Sequence, residues 1–201
     1  GFKWIAREIA ISEGKQQYIG GGEESFGFLP YVKVRDKDAP ASICLICEIA
    51  AWAKDQGKTL YDLLMQIYAE YGFSKEFTVN VVRPGKTGAD EIKQMMTDFR
   101  ANPPQELGGS KVVTWKDYQS LEVKHADGSV EKLDMPATSN VLQWFCDDNT
   151  KVSVRPSGTE PKIKFYIEVK DPSFKCAGCY NRCTAAAMDK IEAIKKSLKL
   201  D

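Results

Sequence analysis

Apolar side chains recur at the helical spacing of three and four residues in five parts of the chain. The segment 40–56 is apolar on nearly every side, which predicts a helix that is buried all round. Thr59 and Asp62 stand three residues apart, as in a capping box, and Thr87 and Asp90 repeat that spacing. The five predicted helices cover residues 3–12, 40–56, 59–71, 87–101 and 175–199. The predicted inward face of the third helix is Leu60, Leu63, Leu64, Ile67, Tyr68 and Tyr71.

Between these helices, apolar and polar residues alternate with the period of two that is typical of strands. Phe77, Val79 and Val81 alternate with polar residues in the sequence EFTVNVV. The turn sequences ADGS at 126–129 and DDNT at 147–150 predict hairpins. The predicted strands are a short one at 17–20, then 76–82, 111–116, 120–125, 129–133, 141–146, 151–155 and 162–169.

A helix, several antiparallel strands and a final helix predict a two-layer α+β domain over residues 74–201. Residues 1–73 contain one short strand and helices, so they are interpreted as the end of a domain and not as a whole one. The predicted boundary between the two parts follows residue 73.

Charge and hydropathy exclude several classes of protein. Lys plus Arg and Asp plus Glu number 28 each, so no overall basic field favours nucleic acid, and an anion site has to be local. No run reaches the roughly 18 apolar residues of a membrane span. The first residues, GFKWIAREIA, lack the features of a signal peptide. We therefore expect a cytoplasmic protein with no membrane or nucleic-acid partner.

Six cysteines raise the question of metal or redox chemistry. Cys44, Cys47 and Cys146 lie in apolar runs and are predicted to be small buried side chains. The sequence CAGCYNRC places Cys176, Cys179 and Cys183 at helical spacing, which favours the inner stripe of the last helix. Metal binding and a redox role stay open as alternatives for these three.

The loop VRPSGTEPK, residues 154–162, combines turn residues with side chains that suit an anion. Arg155 can make paired bonds to phosphate oxygens, and Lys162 adds a point charge. Ser157 and Thr159 supply hydroxyl donors, and Gly158 lets the backbone turn its N–H groups inward. The residues alone indicate either a monophosphate site or a plain turn between two strands.

A second loop, GGGEESFGF at residues 20–28, is rich in glycine and carries Glu23, Glu24 and Ser25. Carboxylates accept hydrogen bonds from sugar hydroxyls, and glycines permit a close approach of a ligand. A solvated surface loop, a metal site and general acid or base chemistry stay open at this point.

Taken together, four motifs resemble the C-terminal part of the α-D-phosphohexomutases, the phosphoglucomutase/phosphomannomutase family. They are GFKWI at 1–5, GGEESFG at 21–27, RDKDA at 35–39 and RPSGTEPK at 155–162. The resemblance covers essentially the whole chain. RDKDA departs from the commoner family ending KDG.

The resemblance implies that residues 1–73 are the C-terminal part of the third, α/β domain of such an enzyme and that 74–201 are its fourth, α+β domain. It further implies a role for each matched residue. Glu23, Ser25 and Lys37 would bind the sugar. The phosphate that is not transferred would be held by Arg155, Ser157, Gly158, Thr159 and, with less support from the family, Lys162.

The family reaction exchanges phosphate between C1 and C6 of a hexose through a phosphoserine and a bisphosphate of the glucose 1,6-bisphosphate type. The phosphoserine and the aspartate-rich Mg²⁺ loop of the family have no counterpart in these 201 residues. The resemblance thus implies an incomplete mutase, inactive alone, whose partners are hexose phosphates and the missing N-terminal domains. Glucose is the first substrate hypothesis, with mannose next and a pentose possible. A stand-alone phosphosugar-binding or regulatory module is the alternative, and an interaction domain with vestigial loops is a third hypothesis.

Overall fold

The computed structural model of the chain describes residues 2–23 and 26–200. The chain divides into two compact units, residues 1–64 and 65–201, and each is described by itself. This division falls inside a helix, nine residues before the predicted domain boundary, which stays a prediction. Among the described residues, no helix has the length and apolar character needed to cross a bilayer.

The described part of the first unit contains two complete helices, the beginning of a third and one short strand pair. Helix α1 spans Phe2–Ser12, strands β1 and β2 span Gly21–Gly22 and Phe28–Leu29, and helix α2 spans Ala39–Asp55. The strands are antiparallel, with Gly21 opposite Leu29. The strand predicted at 17–20 is therefore wrong, because the glycines and not the residues before them pair with the second strand. The Tyr18 side chain instead packs on the small core and donates to the Leu29 carbonyl at 2.9 Å.

Helix α2 forms where it was predicted, but its surroundings differ. Ile43 and Trp52 are 62% and 55% exposed, and Ala53 is its buried residue. Cys44 and Cys47 are exposed too, so their predicted burial is wrong. The reason is physical, since a helix that is apolar on every side needs partners on every side, and residues 1–64 cover few of its faces.

Helix α3 spans Leu60–Tyr71, and its start follows the prediction. The Thr59 amide donates to Asp62 Oδ2 at 2.8 Å, and the Asp62 amide donates to Thr59 Oγ1 at 3.2 Å. The predicted inward face is largely wrong, because the buried residue is Met65. Four of the six residues predicted to face inward are exposed: Leu60, Leu64, Ile67 and Tyr71.

The second unit is built on an antiparallel sheet. Its strands are β3 (Phe73–Val82), β4 (Glu106–Leu107), β5 (Ser110–Asp117), β6 (Glu122–His125), β7 (Val130–Lys132), β8 (Leu142–Cys146), β9 (Lys151–Pro156) and β10 (Lys162–Asp171). Their order is β3-β10-β9-β8-β5-β6-β7, and β4 pairs with β5. Its helices are α4 (Gly85–Ala101) and α5 (Tyr180–Ser197). The predicted α+β class, with hairpins at 126–129 and 147–150, is confirmed.

One face of this sheet carries the core. Alternate residues of β10 are fully or almost fully buried, from Ile163 through Phe165 to Val169. They pack in one cluster with Ile191 of α5 and Met96 of α4. The predicted caps Thr87 and Asp90 are wrong, since α4 begins at Gly85, directly after the extended Pro84.

The cysteines near the last helix do not share one stripe. Cys183 is buried in α5, as is Cys146 in β8, where burial raises the thiol pKa to about 11. Cys176 is exposed in extended backbone (φ −161°, ψ 168°), and Cys179 lies in a 3₁₀ turn. The inner-stripe prediction therefore holds for Cys183 and is wrong for Cys176, because the helix begins only at Tyr180.

Candidate functional site

The turn between β9 and β10, residues 157–161, lies where two long strands meet. In the register of this pair, Arg155 stands opposite Lys164 and Pro156 opposite Ile163. Residues opposite each other in an antiparallel pair point to the same face. Arg155 and Lys164 therefore share the face away from the core, and the period of two adds Lys162 to it.

Hydrogen bonds of Ser157 shape this turn. Its amide donates to the Lys162 carbonyl at 2.8 Å, which closes the base of the turn. Its hydroxyl oxygen accepts from the amides of Thr159 and Glu160 at 3.4 and 3.3 Å. These two bonds are long, so the amides expected to face an anion are held only weakly by Ser157. The hydroxyl proton of Ser157 remains a possible donor to a ligand.

Charge in the turn is dominated by basic groups. Residues 155–164 hold three basic side chains and one acid, Glu160, in a chain with no net charge. Lys162 Nζ is paired with Glu160 Oε2. The hydrogen bond from Lys162 lowers the pKa of Glu160, so this carboxylate stays ionised at neutral pH. Arg155, which is exposed, and Lys164 beside it add two further basic groups to the same face.

Gly158 differs from what the sequence predicts. A Cβ atom at this position would meet nothing within 4 Å, and its φ lies outside the left-handed region. The turn itself therefore does not require glycine. Thr159 next to it is exposed as well. Together they leave open space above the turn, in which a ligand could approach the backbone.

The sequence motif did not include two groups that the structure places at the turn. Lys164 is recognised as part of the site only because it stands opposite Arg155 in the strand register. The amide of Arg83, just after β3, donates to the Pro161 carbonyl at 2.9 Å and ties the turn to the neighbouring strand. A hairpin prediction that pairs 155 with 164 would have found Lys164, whereas the contact from Arg83 has no local signal.

The second loop joins β1 to β2. The Glu23 amide donates to the Gly27 carbonyl at 2.8 Å, so the loop closes tightly. Glu24 and Ser25 lie outside the described residues, so the predicted site residue Ser25 has no structural account. Phe26 has a positive φ of 65° and is fully exposed.

Glu23 and Lys37 meet across this loop. Lys37 Nζ donates to Glu23 Oε1 at 2.9 Å, and the side chains are 54% and 9% exposed for Lys37 and Glu23. The hydrogen bond from Lys37 lowers the pKa of Glu23. A Cβ atom at Gly27 would lie 2.8 Å from Glu23 Oε1 and 2.9 Å from Lys37 Cδ, so glycine is needed for this approach. The structure thus brings together two of the three residues predicted to bind the sugar.

Asp38 fixes the backbone next to Lys37. Its amide donates to the Phe28 carbonyl at 2.9 Å, and its Oδ1 accepts from the Ala41 amide at 3.0 Å as the cap of α2. Tyr31 Oη donates to Asp38 Oδ2 at 2.6 Å and lowers the carboxyl pKa. These bonds tie Lys37 to both β2 and α2.

A recess of about 440 Å³ adjoins Gly27 and Lys37 and reaches the first turns of α2 at Ala39 and Ser42. Its size suits a small ligand. Among residues 2–23 and 26–200, no cluster of three or more His, Cys, Asp or Glu side chains could hold a metal ion.

Two domain models match the chain. The model for the alpha/beta/alpha domain III of phosphoglucomutase/phosphomannomutase matches residues 1–71, and the model for the C-terminal domain of the same enzymes matches residues 79–174. The chain belongs to the phosphoglucomutase/phosphomannomutase family.

Two phosphoglucomutases of Staphylococcus aureus show how similar the chain is to relatives in this family. The phosphoglucomutase of Staphylococcus aureus strain N315 is 42% identical over 174 residues, which cover 87% of this chain and 31% of that protein. The phosphoglucomutase of strain MRSA252 is 43% identical over 175 residues, with the same coverage. The chain thus spans about a third of the length of these relatives.

A solved structure of the family has the same fold. It is the open form of the exocytosis-sensitive phosphoprotein pp63/parafusin, a phosphoglucomutase from Paramecium. The TM-score is 0.55 and the identity 19%, over 96% of this chain and 33% of that one. At this identity the likeness concerns the fold alone.

The ion pair between Lys37 and Glu23 makes a measurable prediction. We expect Lys37→Met to raise the pKa of Glu23 towards the ordinary carboxyl value, because the substitution removes the hydrogen bond and charge that lower it. NMR titration of the Glu23 side-chain carboxyl carbon measures this shift. Lys33→Met, which removes an exposed lysine four residues away, is the matched control and should leave the pKa unchanged. An unaltered Glu23 pKa in Lys37→Met would contradict the pairing.

Proposed function

We propose that the chain is the C-terminal part of a phosphohexomutase that interconverts hexose 1-phosphate and hexose 6-phosphate. The observation that carries this proposal is the turn 157–161, in which a half-buried Ser157 and the exposed Gly158 and Thr159 are flanked by three basic side chains on one face of the sheet. Family membership supports a phosphosugar as the ligand, since the relatives above are named phosphoglucomutases. Glucose phosphates are the first choice of substrate and mannose phosphates the second.

In this proposal the turn holds the phosphate that is not transferred. The Arg155 guanidinium makes charge-assisted bonds to two phosphate oxygens. The hydroxyls of Ser157 and Thr159 donate to the remaining oxygens, and Gly158 lets the backbone come close. Such a site recognises phosphate by charge and geometry and is indifferent to which carbon of the sugar carries it. That indifference suits a mutase, whose two substrates differ in the position of the phosphate.

Lys162 enters the site by exchanging one anion for another. In the structure it is paired with Glu160, so a phosphate has to compete with this carboxylate for the ammonium group. A dianionic phosphate is the stronger partner, and Glu160 would then turn towards solvent, where it is already exposed. The pair keeps the turn from carrying the full positive charge while no ligand is bound.

Glu23, Ser25 and Lys37 take the sugar in this proposal. The Glu23 carboxylate, kept ionised by Lys37, accepts hydrogen bonds from two neighbouring hydroxyls. Lys37 is half-exposed and can donate to a sugar oxygen while it holds Glu23 in place. Hydroxyls near the middle of the ring are suitable partners, because they stay in similar places when the sugar turns round between the two phosphorylation steps.

Phosphate transfer itself is assigned to parts of the protein outside these 201 residues. A phosphoserine would donate to the sugar, and a Mg²⁺ ion would supply charge stabilisation to the transferring phosphate. The described residues do not fit a metal site, so no step is assigned to a metal held by this chain. Glucose 1,6-bisphosphate would be the type of intermediate, held by this chain at its distal phosphate.

The first test is binding of glucose 1-phosphate and glucose 6-phosphate to the ¹⁵N-labelled chain, followed by NMR shift perturbation. We expect dissociation constants of about a millimolar, roughly −4 kcal/mol, with shifts centred on residues 155–164. Arg155→Ala should weaken binding at least tenfold, about 1.4 kcal/mol, because it removes a charge-assisted pair of bonds. Lys132→Ala, at an exposed position of β7, is the control and should bind as the parent does. Equal affinity in Arg155→Ala would refute the site.

Glu160 provides a test in the opposite direction. We expect Glu160→Gln to bind either sugar phosphate several-fold more tightly, because it frees Lys162 and removes a negative charge near the phosphate. Raising the salt concentration should shrink this gain, since the effect is electrostatic. Glu131→Gln, an exposed carboxylate of β7, serves as the control. Weaker binding by Glu160→Gln would mean that Lys162 does not take part.

Turnover distinguishes the proposed fragment from a complete enzyme. We expect the 201-residue chain to convert no glucose 1-phosphate to glucose 6-phosphate in a coupled assay, because phosphoserine and metal site are assigned elsewhere. Steady turnover by protein made in a host that lacks its own mutase would overturn that assignment. Tight binding without turnover, also in the longest natural form of the protein, would favour the alternative of a phosphosugar-binding or regulatory module.

A further inference from the structure

Cys176 and Cys179 form a pair of neighbouring thiols between β10 and α5. Their sulfur atoms lie 3.7 Å apart. Cys176 is exposed, and Cys179 is partly exposed, so a small reagent can reach the pair. A disulfide bond is about 2.05 Å long, so the sulfurs need to approach by less than about 2 Å to join.

The backbone around the pair accounts for this proximity. Cys176 is extended, and the chain then makes a single 3₁₀ turn in which the Cys179 amide donates to the Cys176 carbonyl at 2.9 Å. This turn folds the second thiol back over the first. The segment lies before α5, so closing a bond there requires no change in a regular helix.

A second pair with the same spacing shows why this backbone matters. Cys44 and Cys47 are also separated by two residues and are also exposed, but they lie in the interior of α2. In a regular helix, residues three apart have Cβ atoms about 5–6 Å apart, whereas a disulfide needs about 3.8 Å. The chain thus contains its own matched control for the effect of backbone shape.

The surroundings of Cys179 favour its thiolate. Hydrogen bonds lower the pKa of Cys179 to about 7. The largest contributions come from the backbone of Lys175 and Cys176, and smaller ones from the Cys176 thiol and Arg182. Arg182 is held near by its bond to Ser173 Oγ at 3.0 Å. Cys183, one turn further along α5, is buried, and burial raises its pKa. Only thiolates attack disulfides, so these pKa shifts favour Cys179 over the buried Cys183 as the attacking sulfur.

We propose that the CAGC segment, residues 176–179, is a thiol–disulfide exchange site that reacts with small disulfides such as oxidised glutathione. The Cys179 thiolate attacks one sulfur of the small disulfide, forms a mixed disulfide and releases one glutathione thiolate. Cys176 then loses its proton to solvent and attacks the Cys179 sulfur, which releases the second glutathione. The protein dithiol gives up two electrons and two protons, and one disulfide becomes two thiols.

This site is independent of the proposed function. The phosphate turn precedes β10 and the CAGC segment follows it, and a ten-residue strand spans about 30 Å. Sugar phosphate binding should therefore be unchanged when the thiols are oxidised. The binding experiments above and the thiol experiment below can succeed or fail separately.

The test equilibrates the full 201-residue chain in glutathione buffers of increasing oxidised fraction, followed by acid quench, alkylation and peptide mass mapping. Trypsin releases CAGCYNR, which carries Cys176 and Cys179 and excludes Cys183. We expect this peptide to appear as an internal disulfide, lighter by two hydrogens, in buffers where the peptide with Cys44 and Cys47 is still fully alkylated. Equal oxidation of the two peptides, or no oxidation of CAGCYNR, would overturn the proposal.

A trapping variant tests the order of attack. In Cys176→Ser, which changes an exposed side chain, we expect a mixed disulfide with glutathione to accumulate on Cys179. In Cys179→Ser, Cys176 should acquire glutathione at least tenfold more slowly at neutral pH. Equal rates in the two variants would contradict the role of Cys179 as the attacking sulfur. The doubly substituted control Cys44→Ser/Cys47→Ser should retain the internal disulfide of CAGCYNR.

Discussion

The pairing of β9 with β10 is the constraint on which the candidate phosphate site depends. Its register directs Val152, Val154 and Phe165 into the core, where all three are fully buried. The same register directs Arg155 and Lys164 to the opposite face, one beside the other. A slip of one residue would exchange the two faces and expose the core side chains. Because burial of the apolar side chains favours one register, it also fixes the positions of Arg155 and Lys164 on the opposite face. The site's geometry is thus a by-product of packing.

Both candidate loops hold a lysine against a glutamate. Lys162 pairs with Glu160 in the turn 157–161, and Lys37 pairs with Glu23 over Gly27. The two pairs differ at the carboxylate, because the Glu160 side chain is 59% exposed whereas that of Glu23 is 9% exposed. An exposed carboxylate separates from its partner at little cost, which suits exchange for a phosphate. A largely buried carboxylate keeps its geometry, which suits a group that has to meet sugar hydroxyls.

The spacing Cys-x-x-Cys occurs twice in this chain with different outcomes. Within α2 the regular helix holds Cys44 and Cys47 at a distance fixed by its pitch. Before α5 the extended Cys176 and a single 3₁₀ turn bring the sulfur atoms to 3.7 Å. Motif spacing alone therefore does not define a redox site, and the backbone that carries it decides the chemistry.

By itself, the sequence determined the α+β class, the hairpins, the capping box at Thr59 and the family, because these follow from short-range periodicity, turn residues and local motifs. Tertiary structure alone decided which apolar faces are covered, as the exposed Ile43 and the buried Met65 demonstrate. It also decided that Lys164 joins Arg155, and that Gly27 and not Gly158 is needed for close packing. These outcomes depend on residues far apart in the chain or on which partners are present, and local patterns carry no information about either.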